Sequence, residues 1–271
     1  MAEIREYVKE DLPALTALWQ EAFGDSEDLI SGFFEKLPDM GSFVVASENG
    51  EIIAMAGALC GQELQEKASS GAKEVGYIYA VAVKKEYRGL GLGKSITKAA
   101  YDLALKREAE IVCLLPASEE LYSFYKKNLG FEPVLWRKKR LTPAADSEMT
   151  MKLSCTEYNM MRESLLAGQS YLRLSYFSAD CLKLLLEASG GGLFASMSGI
   201  CACSSGNGVC RFYEVISQNP EATAASVAHA LGCERAEYYL PCSPDDEEGE
   251  KFIAALPGSI PENAVWNIAF E

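Results

Sequence analysis

The chain has 271 residues, 49% of them hydrophobic and 24% charged, a globular mix with length for one large domain or two ordinary ones. A formal net charge of −14 argues against non-specific nucleic-acid binding, which depends on Lys and Arg neutralising phosphates. No run approaches the roughly 18 apolar residues of a membrane-spanning helix, and the opening MAEIREYVKEDLPAL has neither the basic nor the apolar segment of a signal peptide, so a soluble, cytoplasmic protein is expected.

A strand at Glu3–Val8 leads to Asp11, the N-cap expected for a helix over Leu12–Phe23. A second helix is predicted over Ser26–Lys36. Glu48-Asn49-Gly50 is a turn signal that makes a hairpin of Phe43–Ser47 and Glu51–Cys60. Gln62–Lys73 is polar and reads as a loop. A strand at Glu74–Val83, a helix to about Arg107, a strand at Glu110–Leu115, a helix at Ser118–Lys127 and a strand at Phe131–Leu141 complete this half.

Between the strand and the helix stands Val81-Ala-Val-Lys-Lys-Glu-Tyr-Arg-Gly-Leu-Gly-Leu-Gly93. Gly89, Gly91 and Gly93 let backbone N–H groups approach a ligand, and the helix N-terminus behind them adds partial positive charge, which suits a phosphate or pyrophosphate. Residues 84–107 also hold seven basic side chains (Lys84, Lys85, Arg88, Lys94, Lys98, Lys106, Arg107) against Glu86 and Asp102, a local +5 in an acidic protein. A Walker A loop would need a glycine where Arg88 stands, and a dinucleotide loop would need GxGxxG where this chain has Gly89-x-Gly91-x-Gly93.

Arg88-x-x-Gly91-x-Gly93 directly after Val81-Ala82-Val83 resembles motif A of the GNAT superfamily of N-acetyltransferases, with Lys85 where proline is frequent. Pro116-Ala-Ser118-Glu-Glu-Leu-Tyr-Ser-Phe-Tyr125, followed by Leu129-Gly130-Phe131, resembles motif B. The resemblance covers residues 2–141. It implies an α/β (α+β) acyltransferase fold, a mixed, mostly antiparallel sheet with flanking helices, and acetyl-CoA as co-substrate without a metal. The loop backbone would bind the pyrophosphate, with Val81, Ala82, Val83, Arg88, Gly89, Leu90, Gly91, Leu92, Gly93, Lys94 and Ser118 as the cofactor-contacting residues. Near Val81–Val83 the strand would splay, pair with the pantetheine arm and polarise the thioester carbonyl.

By the same resemblance Tyr125 would be the general acid: with an ordinary pKa near ~10 it stays protonated at neutral pH and can donate to a departing thiolate of pKa ~8.5. Tyr122, one turn earlier, is its rival, and a packed core tyrosine is the plainer alternative. The general base is open. Gly76-Tyr77-Ile78-Tyr79 replaces the strand glutamate of some members, and Glu74 lies near the strand's start. Tandem acetyltransferases of the enhanced-intracellular-survival type use their terminal carboxylate, which makes Glu271 a candidate.

Beyond Leu141–Glu148, read as a linker, the order partly repeats: helices at Glu157–Leu166 and Ala179–Ala188, extended runs Leu193–Met197, Ile200–Ser204 and Val209–Ser217, a helix at Glu221–Leu231, a strand at Arg235–Leu240, an acidic helix and a last strand at Ala264–Phe270. We expect a catalytic domain over 1–142 and a diverged duplicate over 149–271. The duplicate has Ser217-Gln-Asn-Pro220-Glu221 in place of the glycine loop, so it should not bind CoA. Nine scattered cysteines fit reduced thiols, and Cys201, Cys203, Cys210, Cys233 and Cys242 lack zinc-site spacing. The expected activity is acetyl transfer to an amine, on a small molecule or a peptide, by a monomer or an oligomer. The alternative is a CoA-binding sensor or partner-binding module whose chemistry has lapsed.

Overall fold

The computed structural model describes residues 2–37, 41–67 and 71–266, and only the backbone of Phe177. Strand β1 (Glu3–Glu6) and a 3-10 turn lead into helix α1 (Leu12–Phe23). Asp11 does not cap α1 with its side chain as the sequence predicts. Its carboxylate is taken by Arg5, at 2.6 and 2.8 Å, and by the Val8 N–H at 2.8 Å. Helix α2 (Glu27–Lys36) is capped by Ser26, whose Oγ accepts from the Leu29 N–H at 3.3 Å. Trp19, Phe33, Phe34 and Phe43 pack their rings 5.1–6.2 Å apart between these helices and the sheet.

Strands β2 (Gly41–Glu48) and β3 (Glu51–Gln65) form the expected hairpin, turned by Asn49 (φ 53°) and Gly50 (φ 82°) in left-handed conformations. The expected loop Gln62–Lys73 is strand at both ends: β3 continues to Gln65, and β4 (Ala72–Val83) begins just before Lys73. Gln62, buried to 2% exposure, and Leu64 point inward there, so a polar residue in a buried position disguised the strand. Next come α3 (Leu92–Lys106), β5 (Ile111–Leu114), α4 (Glu119–Leu129) and β6 (Glu132–Pro133).

The later elements are β7 (Trp136–Pro143), β8 (Thr150–Lys152), α5 (Cys155–Leu166), β9 (Tyr171–Leu174), α6 (Tyr176–Ala188), β10 (Gly192–Ser196), β11 (Gly199–Gly206), β12 (Val209–Ser217), α7 (Pro220–Ala230), β13 (Arg235–Cys242), β14 (Gly249–Lys251) and β15 (Ala254–Ala255). One sheet runs β1-β2-β3-β4-β5-β15-β6, the other β14-β7-β13-β12-β11-β10-β8. In each, three neighbouring strands lead through a helix to a parallel strand: β2-β3-β4-α3-β5 in one and β10-β11-β12-α7-β13 in the other. This is the expected α+β fold, in two sheets consistent with duplication.

Two compact units result. One takes its described residues from 2–63, 72–132 and 254–260, the other from 64–71, 133–253 and 261–266. The expected strand Phe131–Leu141 is in fact two, and β7 lies in the second sheet, antiparallel to β13 from Arg235↔Pro143 to Cys242↔Trp136. Its place beside β5 is taken by β15, from near the end of the chain. A hydrophobic pattern marks a strand but not its partner.

The acidic segment also differs from expectation. It forms a turn and β14, not a helix, because β7 carries matching cations: Arg137–Glu250 (2.8 Å), Lys138–Asp246 (2.8 Å) and Arg140–Glu248 (2.7 Å). The expected linker is docked on α7 and its neighbour, through Ala144 N–H to Glu234 O (2.9 Å), Ala145 N–H to Ala225 O (3.1 Å) and a Ser147–Ser226 hydroxyl bond (2.8 Å). Of the expected strand Ala264–Phe270, Val265 makes a parallel bridge to Tyr171, and residues 267–270 lie outside the described residues.

Candidate functional site

Strands β4 and β5 pair only at Val75–Ile111, Gly76–Val112 and Tyr77–Cys113, although β4 continues to Val83. Ala80 interrupts β4 with φ 47°, a left-handed conformation that is uncommon for alanine and costs about 1–3 kcal/mol in a strand unless the surroundings enforce it. The ladder therefore stops and leaves strand edges that can pair with an extended ligand. Beyond the interruption Ala82 is buried, and half-buried Val81 and Val83 pack on the core that holds Tyr122 and Tyr125.

Arg88 anchors the loop by donating Nε–H to the Val83 carbonyl at 3.0 Å. Gly89 and Gly91 both have φ 82°, and among the described residues nothing beyond their chain neighbours lies within 4 Å of a Cβ built on either, so their constraint is conformational, not steric. Leu90 is 72% exposed at the loop tip. Helix α3 begins at Leu92, and Ser95 makes the first bond onto its N-cap, N–H to Gly91 O at 3.2 Å. The N–H groups of Leu92, Gly93 and Lys94 precede that bond and have no intrahelical acceptor. At Gly93 a Cβ would stand 3.7 Å from the Phe124 ring, an ordinary contact.

The local excess of basic side chains is smaller than the sequence suggests. Lys84 pairs with Glu51, Lys98 with Asp102, and Lys106 with Glu6 at 2.7 Å. Among the described residues no ion pair engages Arg88 or Lys94, so the remaining cations nearest the glycines are theirs.

Helix α4 carries the second motif. Ser118 is its exposed N-cap, with a carbonyl that accepts from Leu121 N–H (3.0 Å) and Tyr122 N–H (3.2 Å). The Glu120 carboxylate accepts its own backbone N–H and the Ser118 hydroxyl, which hold it below the usual carboxylate range. Tyr125 is 6% exposed, and burial pushes its phenol up to about 12. Its ring meets Phe124 edge-on at 5.2 Å, so the neighbour of Tyr125 is also the residue facing Gly93. The fold thus brings the loop and the tyrosine helix together. Tyr122, 8% exposed, lies in the same core, and Glu271 lies outside the described residues.

At the corresponding point of the second sheet, the N-terminus of α7 is capped by its own side chains. Asn219 Oδ1 accepts the Ala222 N–H (3.2 Å), Pro220 has no N–H, and the Ser217 and Thr223 hydroxyls bond each other (2.8 Å). Cys201, Cys203 and Cys210 are fully buried in that unit's core. Among the described residues no group of three or more His, Cys, Asp or Glu side chains could hold a metal ion, and no helix is long and apolar enough to cross a membrane. Two features carried no sequence signal: the conformation of Ala80, and the arrival of Ala254 in the core around Tyr125.

Residues 2–131 match the family model described as the acetyltransferase (GNAT) family. No curated protein sequence matches the chain. Among solved structures it is similar to a GCN5-related N-acetyltransferase from Kribbella flavida (TM-score 0.66, 18% identity, covering 94% of this chain and 71% of that one). It is also similar to a probable N-acyltransferase from Enterococcus faecalis (0.68, 14%, 94% and 72%) and to Eis1 from Mycobacterium abscessus (0.62, 14%, 93% and 72%). At these identities the structures bear on fold alone. The likeness to the acetyltransferase (GNAT) family thus lies in residues 2–131, just under half of the chain.

Proposed function

We propose that the protein is an acetyl-CoA-dependent N-acetyltransferase acting on a small-molecule or peptide amine, with its chemistry in the unit that carries Gly89–Gly93. The observation that carries this reading is the open first turn of α3, whose free N–H groups adjoin glycines with space beside them and stand one residue's packing away from Tyr125. Leu92, Gly93 and Lys94 would donate N–H bonds to the pyrophosphate, with Arg88, Gly89, Leu90 and Lys94 around it and Ser118 beside the pantetheine. Backbone groups of Val81, Ala82 and Val83 would hold the arm and polarise the thioester carbonyl.

The amine nitrogen attacks that carbonyl, a C–N bond forms, and the C–S bond breaks. The sulfur leaves with the electron pair and takes the Tyr125 proton, while the proton lost by the nitrogen passes to a base and restores the phenol. We assign the base to the Glu271 carboxylate, because β4 has none from Tyr77 to Val83. In this reading the second sheet, with its self-capped α7, binds no CoA and is the degenerate duplicate.

Gly93→Ala tests the loop without touching chemistry. Alanine has room on the protein side and the better helix propensity, so the free protein should gain up to about 1 kcal/mol. Acetyl-CoA affinity should fall about tenfold or more, roughly 1.4 kcal/mol, if the methyl crowds the backbone N–H groups proposed to hold the phosphate. Calorimetry and thermal melting report both, and unchanged affinity removes the loop from the site. The missing strand carboxylate favours a second reading, a CoA sensor with lapsed catalysis. Thiol release with spermidine, an aminoglycoside and a lysine-bearing peptide separates the two, since a sensor binds acetyl-CoA and turns over none of them.

A further inference from the structure

We propose that Ala254, with Ala255 and Leu256, is a positioning segment for Tyr125, supplied to the catalytic unit from more than a hundred residues away in sequence. The proposal rests on the reading of Tyr125 as general acid. Strand β5 is four residues long and bonded to β4 only through Ile111–Cys113. Its last residue, Leu114, pairs with Ala254 alone, while Cys113 lies between Tyr77 and Ala255. After Leu114 the chain reaches Ser118 and α4 within a few residues, so β15 fixes the point from which the tyrosine helix departs.

The same segment touches both ends of that helix's course. Ala254 is 1% exposed in a core cluster with Leu114, Tyr122, Tyr125 and Phe131. Leu256 Cδ2 lies 3.8 Å from the Cβ position of Gly130, the left-handed C-cap of α4 (φ 74°). Strand β7, which directly follows this half in sequence, occupies the matching place beside β13 in the other sheet. In each sheet the strand beside the parallel strand therefore comes from a distant part of the sequence. The Cβ positions of Gly89 and Gly91 meet nothing within 4 Å and that of Gly93 meets Phe124, so the segment should govern the acid more than cofactor affinity.

The test uses the full chain with acetyl-CoA and the fastest of the three acceptors named above. Ala254→Val forces two extra carbons into this packing and should shift α4. The expected result is a kcat loss of about 10-fold to 100-fold with the KM for acetyl-CoA within about twofold of wild type. The loss should largely vanish in a Tyr125→Phe background, because there is no acid left to misplace. Ala46→Val, equally buried on β2 in the same core, controls for plain destabilisation and should keep kcat.

If Ala254→Val does not fold, Leu256→Ala carries the same test, since Leu256 is 42% exposed and its loss leaves the ladder intact. A kcat for the test variant equal to that of Ala46→Val, or an effect fully additive with Tyr125→Phe, overturns the proposal. A slow Tyr125→Phe beside a fast Ala254→Val removes only the positioning role. A wild-type rate in Tyr125→Phe removes the general-acid reading and the positioning role with it.

Discussion

Tyr125→Phe is expected to lower kcat by about 10²- to 10⁴-fold, the usual range for a positioned general acid, with acetyl-CoA affinity preserved. The side chain is almost entirely buried, and the deleted atom is a hydroxyl, so neither packing volume nor the loop changes. The raised phenol, at about 12, bears on how the group acts. Full transfer to a thiolate of pKa ~8.5 would be uphill by roughly 3.5 pKa units, near 5 kcal/mol, if it ran alone. In the proposed reaction the phenol would therefore serve mainly as a hydrogen-bond donor to the developing sulfur charge in a desolvated site, with transfer completed as the nitrogen loses its own proton. Steady-state thiol release checks the rate, and a variant within threefold of wild type would leave Tyr125 as core.

The pH dependence has a definite sign. Burial raises the folded-state pKa above the unfolded value near ~10, so Tyr125 favours folding below pH ~10, and that contribution is lost as pH rises through about 12. Across pH 6–9 the phenol stays protonated, and the rate should climb as the acceptor amine deprotonates. A descending limb below pH 9 that disappears in Tyr125→Phe contradicts this. Alkaline unfolding between pH 10 and 12 should be shallower in the variant.

The largest stability effect belongs to the second unit. Glu214 on β12 is buried to 1% exposure and accepts from Arg162 Nε at 2.9 Å, Arg162 Nη2 at 3.0 Å and the Tyr158 hydroxyl at 2.5 Å. Arg162 also donates to the Leu172 carbonyl, so the network ties α5 to β12 and β9. Glu214→Ala strands a buried guanidinium and should cost about 3–5 kcal/mol. Arg162→Met strands the carboxylate instead and should cost a similar amount. The double variant should recover much of the loss, because the penalty comes from the unpaired charge more than from the missing pair. Urea unfolding followed by circular dichroism reads all three. Additive losses would refute the pairing argument.

Much of the first unit is legible in its residues. Helix α1 has its predicted bounds, α2 begins one residue after its Ser26 cap, and α3 starts at Leu92. These starts depend on local chemistry: a serine hydroxyl reaching an N–H, and glycines that turn before a helix. The misreadings share another origin. Gln62 is polar yet buried in a strand, and Asp245–Glu250 is charged yet forms a turn and the start of β14 against the cations of β7, placements set by neighbours distant in sequence. The same holds for the basic run, where Glu51 and Glu6 neutralise two of the lysines.

The amino-acid sequence by itself determined the glycine loop, the helix behind it and the tyrosine helix, since backbone freedom and helix-terminal charge are set within a few residues. Tertiary structure alone decided which strand flanks β5, how Ala80 ends the ladder with it, and why Ala254 lies in the core around Tyr125. Strand pairing is a contest among edges of nearly equal hydrogen-bonding capacity. Its winner is chosen by side-chain packing and countercharge across the whole sheet, which no local window contains.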